Sequence, residues 1–389
     1  MPILTTPILT APAGGPDPQA GANGPTPADR YDRQVRAFGP HTQRRLAELT
    51  VAVVGLGGVG SQVVQSLAHL GVGGLLLVDP DTVTATNLNR LVGAKPADVA
   101  RAATKVTVAA RTVRTINPQV RVRGIAGSIL DPVVWQQVRP AEVIVGAVDG
   151  HAPRWAVNRL AVQYARCYLD VGVELGPAPR PEPPDDHNQE ANSRVRLEAG
   201  GHLAVVRPGG PCLLCLSGYD PRLVDAELDP GLAAARRAAG YRVDDPAEPT
   251  PSVVFLNQII AGYAVGELLN YVSPWRSPVR YLSVDATANE TTVLDADRDP
   301  ECLACGPDSP TRAQRRRGPT VRGPDDRASS GPRRCRSITE PEHPAIPISV
   351  TRRARPAQRV PPPRHLIPAR LTPALDRTDA ISRDPVTGF

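Results

Sequence analysis

The chain has 389 residues, of which 22% are charged and 4% aromatic, and its formal net charge is +6. That length allows one large or two modest domains with a proper core. The charge is uneven: from Pro307 to Phe389 there are 17 Arg, no Lys and 8 acidic residues, so this tail is +9 and residues 1–306 are −3. Basicity is thus a property of the tail, which excludes reading the folded part as a basic nucleic-acid-binding domain.

Residues 1–28 contain no Lys or Arg and are rich in Pro, Gly, Ala and Thr. They have neither the basic start of a signal peptide nor the apolar length of a membrane span. The stretch predicts a disordered segment on a cytoplasmic chain with no membrane contact. The stretch VAVVGLGGVGSQVV (51–64) follows, an apolar run leading into glycines at 55, 57, 58 and 60 and then further apolar residues. Such a run predicts a strand, a glycine turn and a helix whose first amides can face phosphate. The turn alone suits NAD, FAD or ATP.

Val59, Val63, Val64, Leu67 and Leu70 recur at helical spacing, and Gly71 stops that helix. LLLVD (75–79) reads as a buried strand ending on Asp79, whose carboxylate can meet ribose hydroxyls. The apolar positions Val99, Ala102, Val106, Ala109, Val113 and Ile116 predict one amphipathic helix over 99–116. RVRGIA (121–126), EVIVGAV and CYLDVGV (167–173) read as further strands separated by helices. The alternation predicts an α/β fold, a Rossmann-like doubly wound parallel sheet. Past Pro184 the runs RVRLEA, HLAVV, VRYLSVDA and ETTVLDA are short and partly alternating, so the sheet is expected to continue into an antiparallel half. One helix, Val253 to Tyr271, interrupts them.

The residues that discriminate among nucleotides come just after the second strand. DPDTVTATNLNRLVG supplies Asn87, Asn89 and Arg90, and Lys105 follows. A dehydrogenase needs no such donor cluster at the phosphate end, whereas a site that stabilises charge on leaving pyrophosphate does. Asp149, past the strand EVIVGAV, stands at another strand carboxyl end and suits Mg²⁺ beside phosphates. Read singly, Asn87 is a turn former, Arg90 a surface charge and Asp149 the N-cap of the next helix. Only Lys95 and Lys105 are lysines, against 43 arginines. A lysine retained in so arginine-biased a chain points to a need for a compact ammonium.

RYDRQ (30–34), GLGGVG, VDPDTVTATNLNR, Lys105 ahead of Asn117-Pro118, and Asp149 followed by Arg154 and Asn158 together resemble the ThiF/MoeB/HesA family. These are prokaryotic relatives of ubiquitin-activating enzymes. The resemblance spans about 30–306 and implies an adenylation domain over 29–306, with a nucleotide half to about 175 and an antiparallel half from 176. It implies ATP- and Mg²⁺-dependent adenylation of the C-terminal carboxylate of a small ubiquitin-like protein ending in Gly-Gly. By the same resemblance Gly55, Gly57, Gly58 and Gly60 line the nucleotide, and Asp79 holds the ribose. Asn87, Arg90 and Lys105 hold phosphates, and Asp149 holds Mg²⁺. Arg33 reaches the ATP of a partner subunit, which implies a homodimer. The family's Gly-x-Pro-Lys before the helix reads ARAATK here, which leaves Lys95 as the inferior candidate for the phosphate lysine.

Four of the six cysteines form two pairs, PCLLC (212, 215) and ECLAC (302, 305). Two such knuckles have the spacing of a tetrathiolate Zn²⁺ site, with redox pairs or disulfides as the alternative. In the family that zinc is structural. Cys167 lies in an apolar run and Cys335 in the tail, and no cysteine falls between Cys215 and Cys302. In thioester- or persulfide-forming relatives the reactive cysteine lies in that crossover segment, here about 217–251, so its absence argues for adenylation alone.

The Pro/Arg-rich stretch 307–389 reads as a disordered, solvated tail. Nucleic-acid contact through it is the lesser alternative, since its arginines have no interleaved aromatics before Phe389. Adenylation of a peptide or a tRNA-borne carboxylate stays open within the same chemistry. A NAD-linked oxidoreductase or an inactive nucleotide-binding scaffold are the readings from other classes.

Overall fold

The computed structural model describes residues 30–177, 197–229, 231, 251–307 and 309. The segment 1–28, the tail beyond 309 with Cys335, and most of the stretch 217–251 past Asp229 lie outside the described residues.

The elements in chain order begin with α1 (Asp32–Glu48), β1 (Thr50–Val54), α2 (Gly58–Leu70), β2 (Gly74–Val78) and a 3₁₀ turn (Ala85–Asn87). Next come α3 (Pro96–Ala100), α4 (Lys105–Ile116), β3 (Arg121–Ile125), α5 (Pro132–Val138), β4 (Val143–Gly146) and α6 (His151–Tyr164). The chain continues with β5 (Cys167–Pro177), β6 (Leu197–Val206), α7 (Pro221–Leu228), α8 (Val254–Val272), β7 (Tyr281–Asp285) and β8 (Glu290–Leu294). The described strands form one eight-stranded sheet in the order β3-β2-β1-β4-β5-β6-β7-β8. Pairing is parallel from β3 through β5 and antiparallel from β5 through β8. The expected fold class is therefore observed, and the antiparallel half extends the same sheet.

Both faces of the sheet are covered, as a parallel sheet requires. Val51 and Val53 of β1 point into the layer that holds α2, α4 and α8, with Val63, Leu67 and Ile260. Ala52 and Val54 point the other way, toward α5, α6 and the knuckle residues Cys212 and Cys302. Strand β1 lies between β2 and β4, so the chain winds in opposite directions from it. That reversal opens a crevice at the strand carboxyl ends, where doubly wound sheets bind ligands.

Two expectations change in detail. The single helix expected over 99–116 is two helices: α3 ends at Ala100, Ala102 takes φ 49°, and Thr104 caps α4 by accepting from the Thr107 amide at 3.2 Å. The threonine cap outcompetes helix continuation, and it makes Lys105 the first residue of α4 rather than a mid-helix one. The described part of RVRLEA, Leu197 to Ala199, and HLAVV belong to one element, since β6 runs unbroken from Leu197 to Val206. Among the described residues no helix is long and apolar enough to cross a membrane.

Candidate active site

The carboxyl ends of β1, β2, β3 and β4 and the middle of β5 surround an open cleft of about 440 Å³. Its walls bring together Gly55, Gly57, Gly58, Asp79, Asn87, Arg90, Lys105 and Asp149. Gly60 is the exception among the four glycines. It is buried beneath the loop, where a Cβ would lie 1.9 Å from the Gly55 carbonyl oxygen. Its role is to let α2 approach the loop, not to line the cleft.

Asp79 follows the last residue of β2 and is almost fully buried. Its Oδ2 accepts from the Leu56 amide at 2.7 Å and its Oδ1 from the Asp81 amide at 2.8 Å. The carboxylate thereby braces the glycine loop from below while still facing the cleft. Burial pushes its carboxyl above the usual carboxylate value, against the pull of Lys105 and the two amides. Lys105 Nζ lies 2.7 Å from Asp81 Oδ2 and 3.7 Å from Asp79 Oδ1. The ammonium is thus held at the cleft by two carboxylates. Lys95 is absent from the walls; its amide donates to Asp98 at the start of α3.

Asn87 closes a capping box, its Oδ1 accepting from the Thr84 amide at 3.1 Å. Arg90 folds back on the same turn, donating to the Thr86 carbonyl at 2.6 Å and to Asn89 Oδ1 at 3.1 Å. Asp149 is exposed at the mouth, beside Gly150. Arg33 stands exposed on α1 and is not among the cleft walls of its own chain.

One cleft residue is held by a network that is not legible as a group in the sequence. Arg154 of α6 lines the cleft and donates to Asp170 Oδ2 at 3.0 Å. Asp170, fully buried in β5, also meets His202 Nε2 at 3.0 Å and the Tyr168 hydroxyl at 2.5 Å. Burial opposes its ionisation, yet the Arg154 guanidinium and the His202 and Tyr168 bonds hold it below the usual carboxylate range. In the sequence Arg154 shows only within the family resemblance, and Asp170 only as a lone carboxylate in the apolar run CYLDVGV.

A second site lies where the knuckles meet. The sulfurs of Cys212, Cys215, Cys302 and Cys305 all fall within 4.8 Å of one another. Neighbouring sulfurs are 3.6 to 3.8 Å apart. A tetrahedral ion with Zn–S bonds of ~2.3 Å spaces its sulfurs roughly 3.8 Å apart, so the cluster fits zinc. The four are free thiols, which removes the disulfide alternative. Hydrogen bonds from the Cys212 and then the Cys215 thiol hold Cys305 well below the ordinary thiol range, while Cys212 is pushed up. Cys167 is buried in the core, and desolvation pushes its thiol up to about 12, an inert packing cysteine.

A family model, the ThiF family, matches residues 31–304. The chain belongs to the ThiF family. Among its curated relatives is the sulfur carrier protein adenylyltransferase of Thermus thermophilus, 29% identical over 288 residues, which cover 74% of this chain and 93% of the relative. The SAMP-activating enzyme E1 of Haloferax volcanii is 38% identical over 193 residues, covering 49% of this chain and 62% of the relative. Among solved structures, E. coli MccB with MccA-N7isoASN shares the fold at a TM-score of 0.55 and 20% identity, over 71% of this chain and 75% of that one. The ThiF match covers the glycine loop, the donor turn, Asp149, the first knuckle and Cys302 of the second, and leaves the two ends of the chain outside it.

Proposed function

We propose that this ThiF-family chain uses ATP to adenylate the C-terminal carboxylate of a small ubiquitin-like or sulfur-carrier protein ending in Gly-Gly, releasing pyrophosphate. The observation that carries the reading is the convergence of Lys105, Asn87, Arg90 and the Asp149 carboxylate on the glycine-loop cleft. Three donors lining one cleft suit a triphosphate, and a relative aligned over 74% of this chain is named for adenylation of a sulfur carrier protein.

In this reading Asp79 holds the ribose, the amides at Gly57 and Gly58 face phosphate while Gly55, whose own amide donates to the Val78 carbonyl at 2.8 Å, lines the nucleotide, and Asn87, Arg90 and Lys105 bind the departing pyrophosphate. Asp149 holds Mg²⁺, which supplies further charge neutralisation on the phosphates; one carboxylate plus phosphate oxygens is a usual Mg²⁺ set. The substrate carboxylate oxygen attacks the α-phosphorus and the bond to pyrophosphate breaks. No protein nucleophile is needed, so positioning and electrostatics carry the step. Cys212, Cys215, Cys302 and Cys305 hold a structural Zn²⁺, and four unpaired thiols suit the reducing cytoplasm.

A homodimer with Arg33 acting across it belongs to the same reading. It is supported by the exposed Phe255, Ile259 and Tyr263, one helical turn apart on α8, and by a second exposed apolar pair, Phe38 and Trp275, with ring centroids 5.8 Å apart. Mixing Arg33→Ala with Asp149→Ala chains should then restore activity through hybrid dimers. No recovery under demonstrated subunit exchange contradicts action in trans.

The test of the chemistry is ATP–pyrophosphate exchange with candidate carboxylates. Exchange that requires a small protein with a free Gly-Gly terminus supports the proposal. Exchange that responds only to a short peptide or a tRNA moves the substrate class, and none with any carboxylate removes the adenylation reading.

A further inference from the structure

Asp149 and Gly150 form the turn that leads from β4 into α6. The first two amides of that helix are already used. Glu227, in the last turn of α7, accepts from the His151 amide with Oε1 at 2.8 Å and Oε2 at 3.0 Å, and from the Ala152 amide with Oε2 at 2.8 Å. These are donors that a helix start leaves without an internal partner. A second prong secures the same turn, the Asp220 amide donating to His151 Nδ1 at 3.0 Å. Gly150 takes φ 84°, and a Cβ there would come 2.9 Å from Glu227 Oε2. The turn and the carboxylate are therefore fitted to each other.

The clamp reaches back to the cysteines. Asn158, fully buried on α6, accepts from the Leu213 amide at 2.8 Å and donates to the Tyr219 hydroxyl at 3.3 Å. One segment, starting at Cys212 and ending with α7, thus grips α6 at its first turn and again at mid-length.

This arrangement decides between two readings of Asp149. As the N-cap of α6 its carboxylate would be spent on the amides that follow it. Glu227 occupies those amides instead, and the Asp149 carboxylate, exposed at the cleft, has no hydrogen-bond partner among the described residues. We propose that Glu227 is a positioning residue: it caps α6 so that the Asp149 carboxylate stays available to a divalent cation at the phosphate end of the cleft. The proposal rests on the reading of that cleft as an ATP site. It also follows that the α6 terminus is not an anion site, so phosphates are left to the glycine loop and the Lys105 side. Without Glu227 the open helix terminus attracts the nearest carboxylate, which is Asp149.

The experiment titrates a non-hydrolysable ATP analogue by calorimetry over a series of Mg²⁺ concentrations, for the unmodified chain, Glu227→Gln and Glu227→Ala. Zinc content, measured in parallel, is expected to be unchanged. The Mg²⁺ concentration for half-maximal analogue binding should rise about tenfold or more in Glu227→Ala and less in Glu227→Gln, which keeps one acceptor. Binding of the analogue in excess chelator should be unaltered. An unchanged Mg²⁺ midpoint overturns the proposal, as does an equal loss with and without Mg²⁺, which would mark a merely structural cap. If the unmodified chain binds no analogue at any Mg²⁺ concentration, the ATP reading falls and the proposal with it.

Discussion

The cleft and the cysteine knuckles are both gathered from distant parts of the chain, yet they leave their reactive atoms in opposite conditions. At the knuckles four sulfurs face one another at 3.6 to 3.8 Å, with three of the four cysteines buried. At the cleft Asp149 is exposed, Asn87 and Arg90 are half-buried, and Lys105 pairs with Asp81, itself exposed to solvent. A set of four protein ligands closed on itself suits a permanent ion. Side chains held in place but still open to solvent suit a ligand that arrives, reacts and leaves. Helix α6 joins the two, with Arg154 at the cleft and Asn158 on the first knuckle.

If the knuckle site is structural, Cys302→Ser should have the largest effect on stability of any change considered. It should remove near-stoichiometric zinc and cost more than about 4 kcal/mol, read by elemental analysis and thermal melting. A zinc-free protein that melts like the unmodified chain would erase the distinction between the two regions.

At the cleft the effect should fall on rate rather than fold. Lys105→Ala should cost roughly 2–4 kcal/mol of transition-state stabilisation in pyrophosphate exchange, with the melting temperature little changed. Lys105→Arg should recover little, because a planar guanidinium does not fill the place of an ammonium between Asp79 and Asp81.

A smaller effect, of pH on stability, lies outside both sites. Arg111 hydrogen bonds hold the Asp98 carboxyl at about 2, below its ordinary 3.8. A carboxyl depressed on folding contributes stability that is complete above its unfolded value and is lost as pH falls through the folded one. Asp98→Asn should therefore flatten the acid limb of the stability curve between 3.8 and about 2, measured by denaturant titration across that range. Smallest of all is Lys95→Ala, since Lys95 is not among the cleft walls; exchange should match the unmodified chain. If Lys95→Ala is the crippling change, the phosphate wall has been assigned to the wrong turn.

The local signals were legible and the remote ones were not. The glycine loop, α2 with its Gly71 stop, and the strand ending at Asp79 are each set by neighbours within a few residues, so pattern and spacing reveal them. The break between α3 and α4 is hidden because apolar positions continue at helical spacing across it, while the Thr104 cap decides the backbone. Asp170 and Glu227 were unreadable as site residues for another reason. Their partners lie 16, 32 and 76 positions away in sequence, and only the folded sheet and α7 bring them together.

In the proposed reaction a carboxylate oxygen of the substrate attacks the α-phosphorus of ATP in this cleft. It is tested most directly by following ¹⁸O from a substrate labelled in its C-terminal carboxylate, with hydroxylamine present to capture the activated acyl group. Hydroxylamine attack at the acyl carbon expels AMP together with the carboxylate oxygen that formed the bridge. The account predicts AMP carrying one ¹⁸O atom, and loss of that AMP in Lys105→Ala. Unlabelled AMP, or ADP as the nucleotide product, would contradict it.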